Sequence, residues 1–447
     1  MTVENFTDAN ARATDPRAAE TRAPGRQAAR PRKAAPRPRG GILAALDIGT
    51  GKVCCFIARA GASGPQIIGI GHQLSRGVRN GIIVDLDAAS ASVLSAVHAA
   101  EQMAGETITE IVVNLSGSFP PSRIINVEIS TAGREIGDSD MRRVLEQGYH
   151  LKDAPDREVI HSIPVGFSID GSRGIRDPRG MFGKKLGVNM HIVAVKPAAV
   201  RNITAAVGRC HLDIAGLVVS PYAAGLAALV DDETDLGVTI VDMGAGTTTI
   251  GVFFDGNLIF ADCVPVGGGH VTNDIARGLS TPLVHAERMK TLYGNAISSS
   301  ADERETISVP QVGEEDEGQA NHVPRSLLTG IISPRLEETF ELVRNRLEAS
   351  GYDKLAGRRV VLTGGASQLP GVRELAGLIL DKQIRIGRPL RVAGLAEATG
   401  GPAFSTCVGL LHFALSERAE TPRQARALSA PPSGLLGRVG HWLKENF

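Results

Sequence analysis

The feature that most restricts the fold of this chain is a short pattern that occurs twice. In its first copy, an apolar run ends at Asp47, breaks at Gly49-Thr50-Gly51-Lys52, and resumes as a second apolar run through Ile57. This order predicts a strand, a tight glycine turn and a second strand. Glycines let the backbone approach a ligand closely and turn its N–H groups toward an anion. At the end of its strand, the carboxylate of Asp47 is placed to hold a hydrated Mg²⁺.

The second copy lies in the other half of the chain, between Val238 and Phe254. Its strand ends near Asp242, and its turn contains Gly244, Gly246, Thr247 and Thr248. Two such hairpins, one in each half, predict an internally duplicated fold. Facing each other, they would hold a polyphosphate from two sides, with Asp47 and Asp242 meeting the metal through water.

A third element runs from Val360 to Gly371. It predicts a strand that bends at Gly364-Gly365 and continues past Ser367 into a helix. Such a glycine bend can lie against the flat adenosine of a nucleotide. Each of the three elements is a weak signal alone, and their order along one chain is the strong one.

Composition excludes several classes of protein. The chain has 447 residues, enough for two or more cores, and its 48 basic and 48 acidic residues give no net charge. This balance argues against a nucleic-acid binder. The five cysteines form no Cys-x-x-Cys pair, which fits a reducing cytoplasm. We find no apolar run long enough to span a bilayer and no secretory signal.

The ordered trio resembles the actin-like ATPase superfamily. Further segments resemble the FtsA family of bacterial cell division within it. These segments are Ser75-Arg76-Gly77, Ile331–Arg335, Arg385–Pro389 and Phe404–His412. The resemblance implies an α/β, actin-like duplicated ATPase fold with two nucleotide-clasping halves and a small β-rich inserted subdomain. It also implies that the chain binds ATP and Mg²⁺.

The chain is predicted to divide into seven segments. They are a disordered basic Ala/Pro/Arg-rich tail (1–40), the first half (41–115), the inserted subdomain (116–195), the first half continued (196–235), the second half with an outer subdomain (236–416), a flexible linker (417–433) and an amphipathic helix (434–447). The tail has too few large apolar side chains to offset the entropy of ordering. It is either simply solvated or in weak contact with anionic lipid or an acidic partner.

Within the insert, strands are predicted over Arg123–Ser130, Val159–Ile169 and Met190–Val195, and a helix over Asp138–Gly148. Because this region contains Pro164, Pro178 and many glycines, long central strands are not expected.

Three expectations concern the rest of the fold. A helix is predicted over Asp87–Ala104 with Asp87 as its N-cap. The segment Asp231–Asp235 is expected to be an acidic turn. Ser326–Ser350 is expected to form one amphipathic helix, or a pair of helices interrupted at Pro334.

Several site residues follow from the resemblance. Glu287 and Lys290 share one helical face, so they are either a surface ion pair or, as in the family, residues that lie against ribose and adenine. The glycines around Gly268 either close over phosphates or simply begin a helix. Ser220 stands where fast ATPases of the superfamily carry a Glu or Gln that positions the attacking water. Because serine orients water less firmly, we expect at most slow ATP hydrolysis, with no firm catalytic residue.

The last fourteen residues predict an amphipathic helix. Its apolar side chains share an arc of roughly 140°, and they are Leu435, Leu436, Val439, Trp442, Leu443 and Phe447. At about 1.5 Å per residue the helix is too short to span a bilayer. It either docks on the protein's own core or lies in a membrane interface, and its place after a proline-containing linker favours the membrane.

The resemblance implies an ATP-binding filament protein at the cytoplasmic face of the bacterial inner membrane, at the division site. Its implied partners are the FtsZ C-terminal peptide, further copies of itself, an anionic membrane surface and, through the insert, other division proteins; no nucleic acid is expected. Arg325 and Arg335 are candidates for reading the acidic peptide, or they are ordinary solvated arginines.

Two other functions remain open at this point. A small-molecule kinase of the same superfamily would need a catalytic aspartate facing an acceptor pocket, and no candidate is evident. The actin-like scaffold of type IV pilus assembly shares the insert but lacks the amphipathic tail.

Overall fold

The two halves of the chain each build a five-stranded sheet around one of the predicted hairpins. The computed structural model describes residues 41–61, 64–117, 119, 121–150, 156–313, 321–390 and 392–416. In this part of the chain the strands are β1 (Ile42–Ile48), β2 (Lys52–Gly61), β3 (Gly64–Leu74), β4 (Val78–Arg79), β5 (Ile82–Ile83), β6 (Glu110–Leu115), β7 (Arg123–Ser130), β8 (Glu158–Ile169), β9 (Ser172–Ile175), β10 (Lys185–Val195), β11 (Asp213–Val219), β12 (Val238–Met243), β13 (Thr248–Phe254), β14 (Asn257–Val264), β15 (Thr306–Val309), β16 (Asn321–Pro324), β17 (Arg359–Thr363) and β18 (Gln383–Ile386). The helices are α1 (Leu86–Ala104), α2 (Asp138–Tyr149), α3 (Pro197–Gly208), α4 (Ser220–Ala228), α5 (Asp231–Leu236), α6 (Gly268–Gly278), α7 (Leu283–Tyr293), α8 (Arg325–Ser350), α9 (Val372–Leu380) and α10 (Ser405–Leu415).

The two sheets have the same topology. In the first, β1, β2 and β3 form an antiparallel meander, and β6 and β11 continue the sheet on the other side of β1 as parallel strands. In the second, β12, β13 and β14 form the meander, and β17 and β18 are the parallel strands beside β12. This equivalence confirms the duplicated fold that the repeated hairpin predicts.

Helices α4 and α10 join the two halves through a shared core. The apolar residues around them come from both sheets, including Leu46 of β1 and Ile240 of β12, each fully buried. The helices approach so closely that a Cβ on Gly409 would lie 1.7 Å from the carbonyl oxygen of Ala223. Only glycine permits this contact. The opposite face of the second sheet packs on α6, α8 and α9 around a separate core.

The insert is a four-stranded antiparallel sheet in the order β7-β10-β8-β9, with α2 packed against it. The expectation that long strands are absent here was wrong, because β8 has 12 residues and β10 has 11. Pro164 is tolerated in β8 because it lies at a register shift against Asn189 and Met190, and β9 pairs only with the later part of β8. At a bulge or an unpaired edge, proline removes no ladder hydrogen bond.

One predicted feature of α1 needs correction. The N-cap of α1 is Asp85, whose carboxylate accepts a hydrogen bond from Ala88 N at 3.0 Å, whereas Asp87 lies in the first turn and pairs with Arg209. The helix ends at Ala104, as predicted, and Gly105 caps it in the left-handed conformation with φ 66°. Capping is decided by which carboxylate has extended backbone and reaches an N–H group of the first turn, and both aspartates fit the sequence pattern.

The acidic segment after α4 is the short helix α5 and not a turn. Its Glu233 is buried and bonds Arg385, the first residue of one of the segments that carry the family resemblance. Burial would raise the pKa of Glu233, but the hydrogen bonds from Arg385 and Val230 N outweigh it and lower that pKa. Arg385 also donates to Ala228 O at 2.8 Å, so one side chain ties the end of α4 to β18.

The segment from Arg325 to Ser350 is one continuous helix, and Pro334 lies inside it. A proline in a helix interior costs about 3 kcal/mol. Buried apolar side chains at three- and four-residue spacing offset that cost, and they are Leu328, Ile332, Leu336, Phe340, Val343 and Leu347.

Candidate functional site

The two glycine turns meet face to face between the halves. A Cβ on Gly246 would lie 2.4 Å from the hydroxyl oxygen of Thr50, and a Cβ on Gly51 would lie 2.9 Å from the Cβ of Ala245. Any larger side chain would therefore force the turns apart. The hydroxyl of Thr50 also accepts a hydrogen bond from Gly81 N at 2.9 Å, which fixes the first turn to the loop between β4 and β5.

Two further glycine segments close around the second turn. Gly268 N donates to Gly244 O at 2.9 Å, and Gly269 N donates to Ala245 O at 2.7 Å. Gly364, with φ 85°, brings the third element so near that a Cβ there would lie 2.4 Å from an oxygen of Asp242. The structure thus brings Gly244, Gly246, Gly268 and Gly364 together around one cleft.

Thr248 and Ser367 donate their hydroxyls to backbone carbonyls and so stabilise these loops. Thr248 donates through its hydroxyl to Val266 O at 2.8 Å, which ties β13 to the segment before α6. Ser367 donates to Gly364 O at 2.8 Å, inside the short 3₁₀ turn that begins at Gly365. Thr247 is buried in the second turn.

Asp47 and Asp242 lie in the cleft, and each accepts one hydrogen bond from its own surroundings. Asn114 Nδ2 donates to Asp47 Oδ1 at 2.7 Å, and Thr406 Oγ1 donates to Asp242 Oδ2 at 2.9 Å. Burial raises the pKa of Asp47, against the opposing charge of Lys52. Burial also raises the pKa of Asp242 to about 6, with a contribution from the Asp47 charge, while Thr406 and Lys52 act in the opposite direction. Two carboxylates that repel each other in a buried cleft are what a bound cation would neutralise.

Lys52 brings the positive charge of the cleft. Its ammonium lies 4.0 Å from the centroid of the Phe404 ring and also donates to Ala403 O. A cation over an aromatic face is stabilised by the negative face of the ring. Of the segment Phe404–His412, the ring of Phe404 therefore holds Lys52, and the hydroxyl of Thr406 holds Asp242.

Glu287 and Lys290 form the ion pair that their spacing predicts. Lys290 Nζ lies 2.6 Å from Glu287 Oε2 and also donates to Thr272 Oγ1 at 2.9 Å and to Gly268 O at 3.2 Å. The pair therefore joins α7 to the start of α6, beside the second turn. Lys290 is mostly buried, and about half of the Glu287 side chain is exposed.

Ser220 begins α4 at the floor of the first half. Its hydroxyl lies 2.7 Å from the hydroxyl of Ser116 and 3.1 Å from Asn114 Nδ2, and the residue is buried. Its hydrogen-bonding capacity is thus used within the protein.

Arg325 and Arg335 lie on α8 and are bonded to the protein itself. Arg325 donates to Glu305 at 2.7 Å and to Tyr293 O at 2.8 Å. Arg335 is paired with Asp274 and with Glu338. Neither guanidinium is simply solvated.

The predicted membrane helix and its six apolar residues, the tail 1–40 and the linker 417–433 lie outside the described residues. Among the helices of the described part, none is both long enough and apolar enough to cross a bilayer.

Two sheets of the same topology, joined by two helices and facing each other through glycine turns, define the actin-like ATPase fold. A solved structure described as "PilM-PilN type IV pilus biogenesis complex" has the same fold, with a TM-score of 0.60 and 18% identity over 86% of this chain and all of that one. The chain belongs to the FtsA family of cell division proteins. The descriptions "Cell division protein FtsA" and "SHS2 domain inserted in FTSA" match residues 239–409 and 117–194.

Similarity to members of this family extends along most of the chain. The chain is 48% identical to the cell division protein FtsA of Rhizobium meliloti (strain 1021), over 93% of this chain and 97% of the relative. It is 31% identical to that of Escherichia coli (strain K12), over 91% and 98%. These relationships do not favour the kinase or the pilus scaffold, since the likeness to the pilus complex is one of fold only.

Sequence reasoning missed three residues of the cleft, Asn114, Phe404 and Thr406. Asn114 lies inside a predicted strand, and nothing local distinguishes it from any buried amide. The other two lie in a segment that was noted for its resemblance, without a role for either side chain.

Proposed function

We propose that the chain binds ATP with Mg²⁺ between its halves, assembles into actin-like filaments and anchors FtsZ to the cytoplasmic membrane at the division site. The observation that carries the nucleotide part is the close contact between the glycine turns that follow Asp47 and Asp242 in two equivalent hairpins. No group of three or more potential metal-ligating side chains occurs among the described residues. Two carboxylates acting through water, together with phosphate oxygens, suit Mg²⁺, which keeps most of its water.

Each group in the cleft has a task in this proposal. Asp47 and Asp242 hold the hydrated Mg²⁺, and the turns at Gly49-Thr50-Gly51 and Gly244–Thr248 surround the phosphates with backbone N–H groups. Lys52 supplies positive charge beside them. Bound Mg²⁺ neutralises phosphate charge.

The base and ribose are assigned to the second half. Glu287 and Lys290 lie against the ribose and adenine, next to Gly268. Gly364, Gly365 and Ser367 form the bend that lies against the adenosine.

The outer part of the second half is proposed to receive the acidic FtsZ peptide. Arg325 and Arg335 are the proposed readers, because a guanidinium pairs with a carboxylate through two parallel hydrogen bonds. A peptide carboxylate would have to replace Glu305 at Arg325, and Asp274 or Glu338 at Arg335. Exchange of one carboxylate for another keeps each arginine paired, so the desolvated charge is never left alone.

Membrane anchoring is assigned to residues 434–447, whose sequence predicts an amphipathic helix. One such helix binds weakly, but a filament carries many, and each later contact is intramolecular. Nucleotide-dependent assembly would therefore control membrane affinity. Recruitment of later division proteins is assigned to the insert.

The experiment that tests the whole proposal is liposome pelleting of the full chain with ATP, Mg²⁺ and an FtsZ tail peptide. We expect the chain to pellet with anionic vesicles more efficiently with ATP than without it, and to carry the peptide into the pellet. Pelleting that is independent of both ATP and vesicles would contradict it.

A further inference from the structure

The proposed nucleotide site gives no task to one buried amide beside it. Asn114 lies on β6, only 1% exposed, between the two strands that flank β6 in the first sheet. A buried amide without a structural partner is costly, so its hydrogen bonds reveal what it is there to hold.

The hydrogen bonds of Asn114 fix which way its amide points. Its Oδ1 accepts from Ile48 N at 2.7 Å, and a backbone N–H can only donate. The oxygen must therefore face Ile48, and the NH₂ group must face Asp47. Ile48 directly follows Asp47 in β1, so one side chain holds both the backbone and the carboxylate at the end of this strand.

The bond to Asp47 is also the shortest that the amide nitrogen makes. Nδ2 lies 2.7 Å from Asp47 Oδ1, compared with 3.0 Å from Ser116 Oγ and 3.1 Å from Ser220 Oγ. An amide nitrogen cannot accept, so it can satisfy Asp47 only as a donor. The bond occupies one carboxylate oxygen and restricts rotation of the carboxylate.

The second aspartate is held differently. Asp242 accepts from the hydroxyl of Thr406, which comes from α10 and can rotate between donor and acceptor roles. Asp47 is held by a planar group whose orientation is set by the backbone of its own strand. The two carboxylates are therefore held by different donors, a planar amide at Asp47 and a hydroxyl at Asp242.

We infer that Asn114 is the positioning residue of Asp47, which orients this carboxylate toward the magnesium ion and ties it to Ser220 at the start of α4. The inference rests on the proposed nucleotide site. It adds that the metal-facing geometry of the first half is set from β6, and that the same side chain reaches the helix that joins the halves.

The test measures ATP affinity by calorimetry on the full chain, once with Mg²⁺ and once with EDTA. The ratio of the two affinities is the Mg²⁺ linkage of ATP binding. Asn114→Leu keeps the volume and removes both hydrogen-bonding groups. Loss of a residue that orients a metal-facing group lowers metal affinity about 10- to 100-fold. We expect the Mg²⁺-dependent gain in ATP affinity to fall by a comparable factor, while the affinity in EDTA stays near that of the wild type.

Two further variants separate positioning from folding. Asn114→Ser leaves a polar group too short to reach Asp47, and it should show the same loss of linkage if the leucine variant does not fold. In an Asp47→Ala background, Asn114→Leu should cause no additional loss of linkage, because the group that it positions is gone. Thr131→Val is the matched control, since it removes a buried hydrogen bond to Gly183 O inside the insert.

The outcomes are distinct. Wild-type chain that binds no ATP overturns the proposed nucleotide site itself. If the wild-type chain shows Mg²⁺-linked binding and the Asn114 variants keep the full linkage, this inference alone is overturned. Equal loss of affinity with Mg²⁺ and with EDTA also overturns it, because that result describes a general structural role.

Discussion

At the scale of single residues, the cleft holds two buried carboxylates that repel each other. Asp47 and Asp242 are both buried enough to disfavour their ionised forms, and the pKa of Asp242 rises to about 6. Lys52 is close enough to lower both pKa values, yet its ammonium is held by Ala403 O and the Phe404 ring. A cation that reached both carboxylates would relieve their repulsion, which is the physical argument for metal at this position.

Replacing either aspartate should weaken binding of ATP in the presence of Mg²⁺. We expect Asp47→Ala and Asp242→Ala each to lower the affinity about tenfold or more, because each removes a carboxylate that faces the hydrated metal. Calorimetry with Mg²⁺ measures this. Asp262→Ala is the control, since Asp262 is a buried carboxylate of β14 that faces Arg346 and not the cleft. Unchanged affinity in both cleft variants would contradict the assignment of Asp47 and Asp242 to the hydrated metal.

ATP turnover should be slow, well below the typical enzyme value of about 10 per second. The reason is that Ser220, where a water-positioning group is expected, has its hydroxyl engaged by Ser116 and Asn114. A phosphate-release assay on the isolated chain measures the rate. Fast turnover would contradict the prediction and would return attention to kinase-like activity.

At the scale of elements, the insert is joined to the two halves through buried histidines. His161 of β8 accepts a hydrogen bond from Val219 N at 3.1 Å, and its ring lies edge-on to Tyr222 at 5.4 Å. His191 of β10 bonds Ser122, and Ser122 in turn accepts from Ala261 N in the second half. Burial lowers the pKa of each histidine to about 3, so both are neutral in the folded protein.

These two histidines should make the fold sensitive to acid. Each has a folded pKa of about 3 against about 6.5 when unfolded, so the unfolded state binds more protons and stability falls as pH drops from about 6.5 toward about 3. Between about pH 7 and about pH 5 we expect a loss of about 2 kcal/mol for each histidine. Urea unfolding at the two pH values measures it.

The matched comparison is between buried and exposed histidines. The double variant His161→Gln/His191→Gln should show a smaller fall in stability over this pH range than the wild type, whatever it does to stability at neutral pH. His98→Gln, on the exposed face of α1, should leave the slope as it is. A slope that is the same in all three proteins would show that other groups control the acid response.

At the scale of the whole molecule, the proposed function requires the cleft and the terminal helix to act together. Under that proposal, filament formation would place many copies of residues 434–447 on one surface, and multivalency would make weak interfacial binding firm. The predicted helix would contribute its apolar side chains, and each basic residue beside them would add about 1 kcal/mol near an anionic surface.

Trp442→Glu should release the chain from anionic liposomes and leave ATP binding intact. The change removes an aromatic interfacial anchor and places a charge that must stay in water or be buried unpaired. His441→Glu adds the same charge on the polar side of the predicted helix and should be far milder. Co-sedimentation of Trp442→Glu at the wild-type level would mean that the helix packs on protein, and the membrane role would be withdrawn.

The features that depend on near neighbours along the chain could be predicted from the residues alone. The two hairpins could be predicted because apolar alternation and glycine turns act within a few residues. The pairing of Glu287 with Lys290 follows from helix periodicity for the same reason. The duplicated fold follows in turn, because two copies of one local pattern imply two equivalent units.

Only the tertiary structure decided how these local features are held. Asn114 bonds Asp47 across 67 residues of sequence, and Thr406 bonds Asp242 across 164. Contacts of this range depend on which strands and helices become neighbours, and no local pattern contains that information. The same cause lies behind the tolerance of Pro164, which depends on where the neighbouring strand stops pairing, and behind the choice of Asp85 over Asp87 as the cap of α1, which depends on backbone conformation.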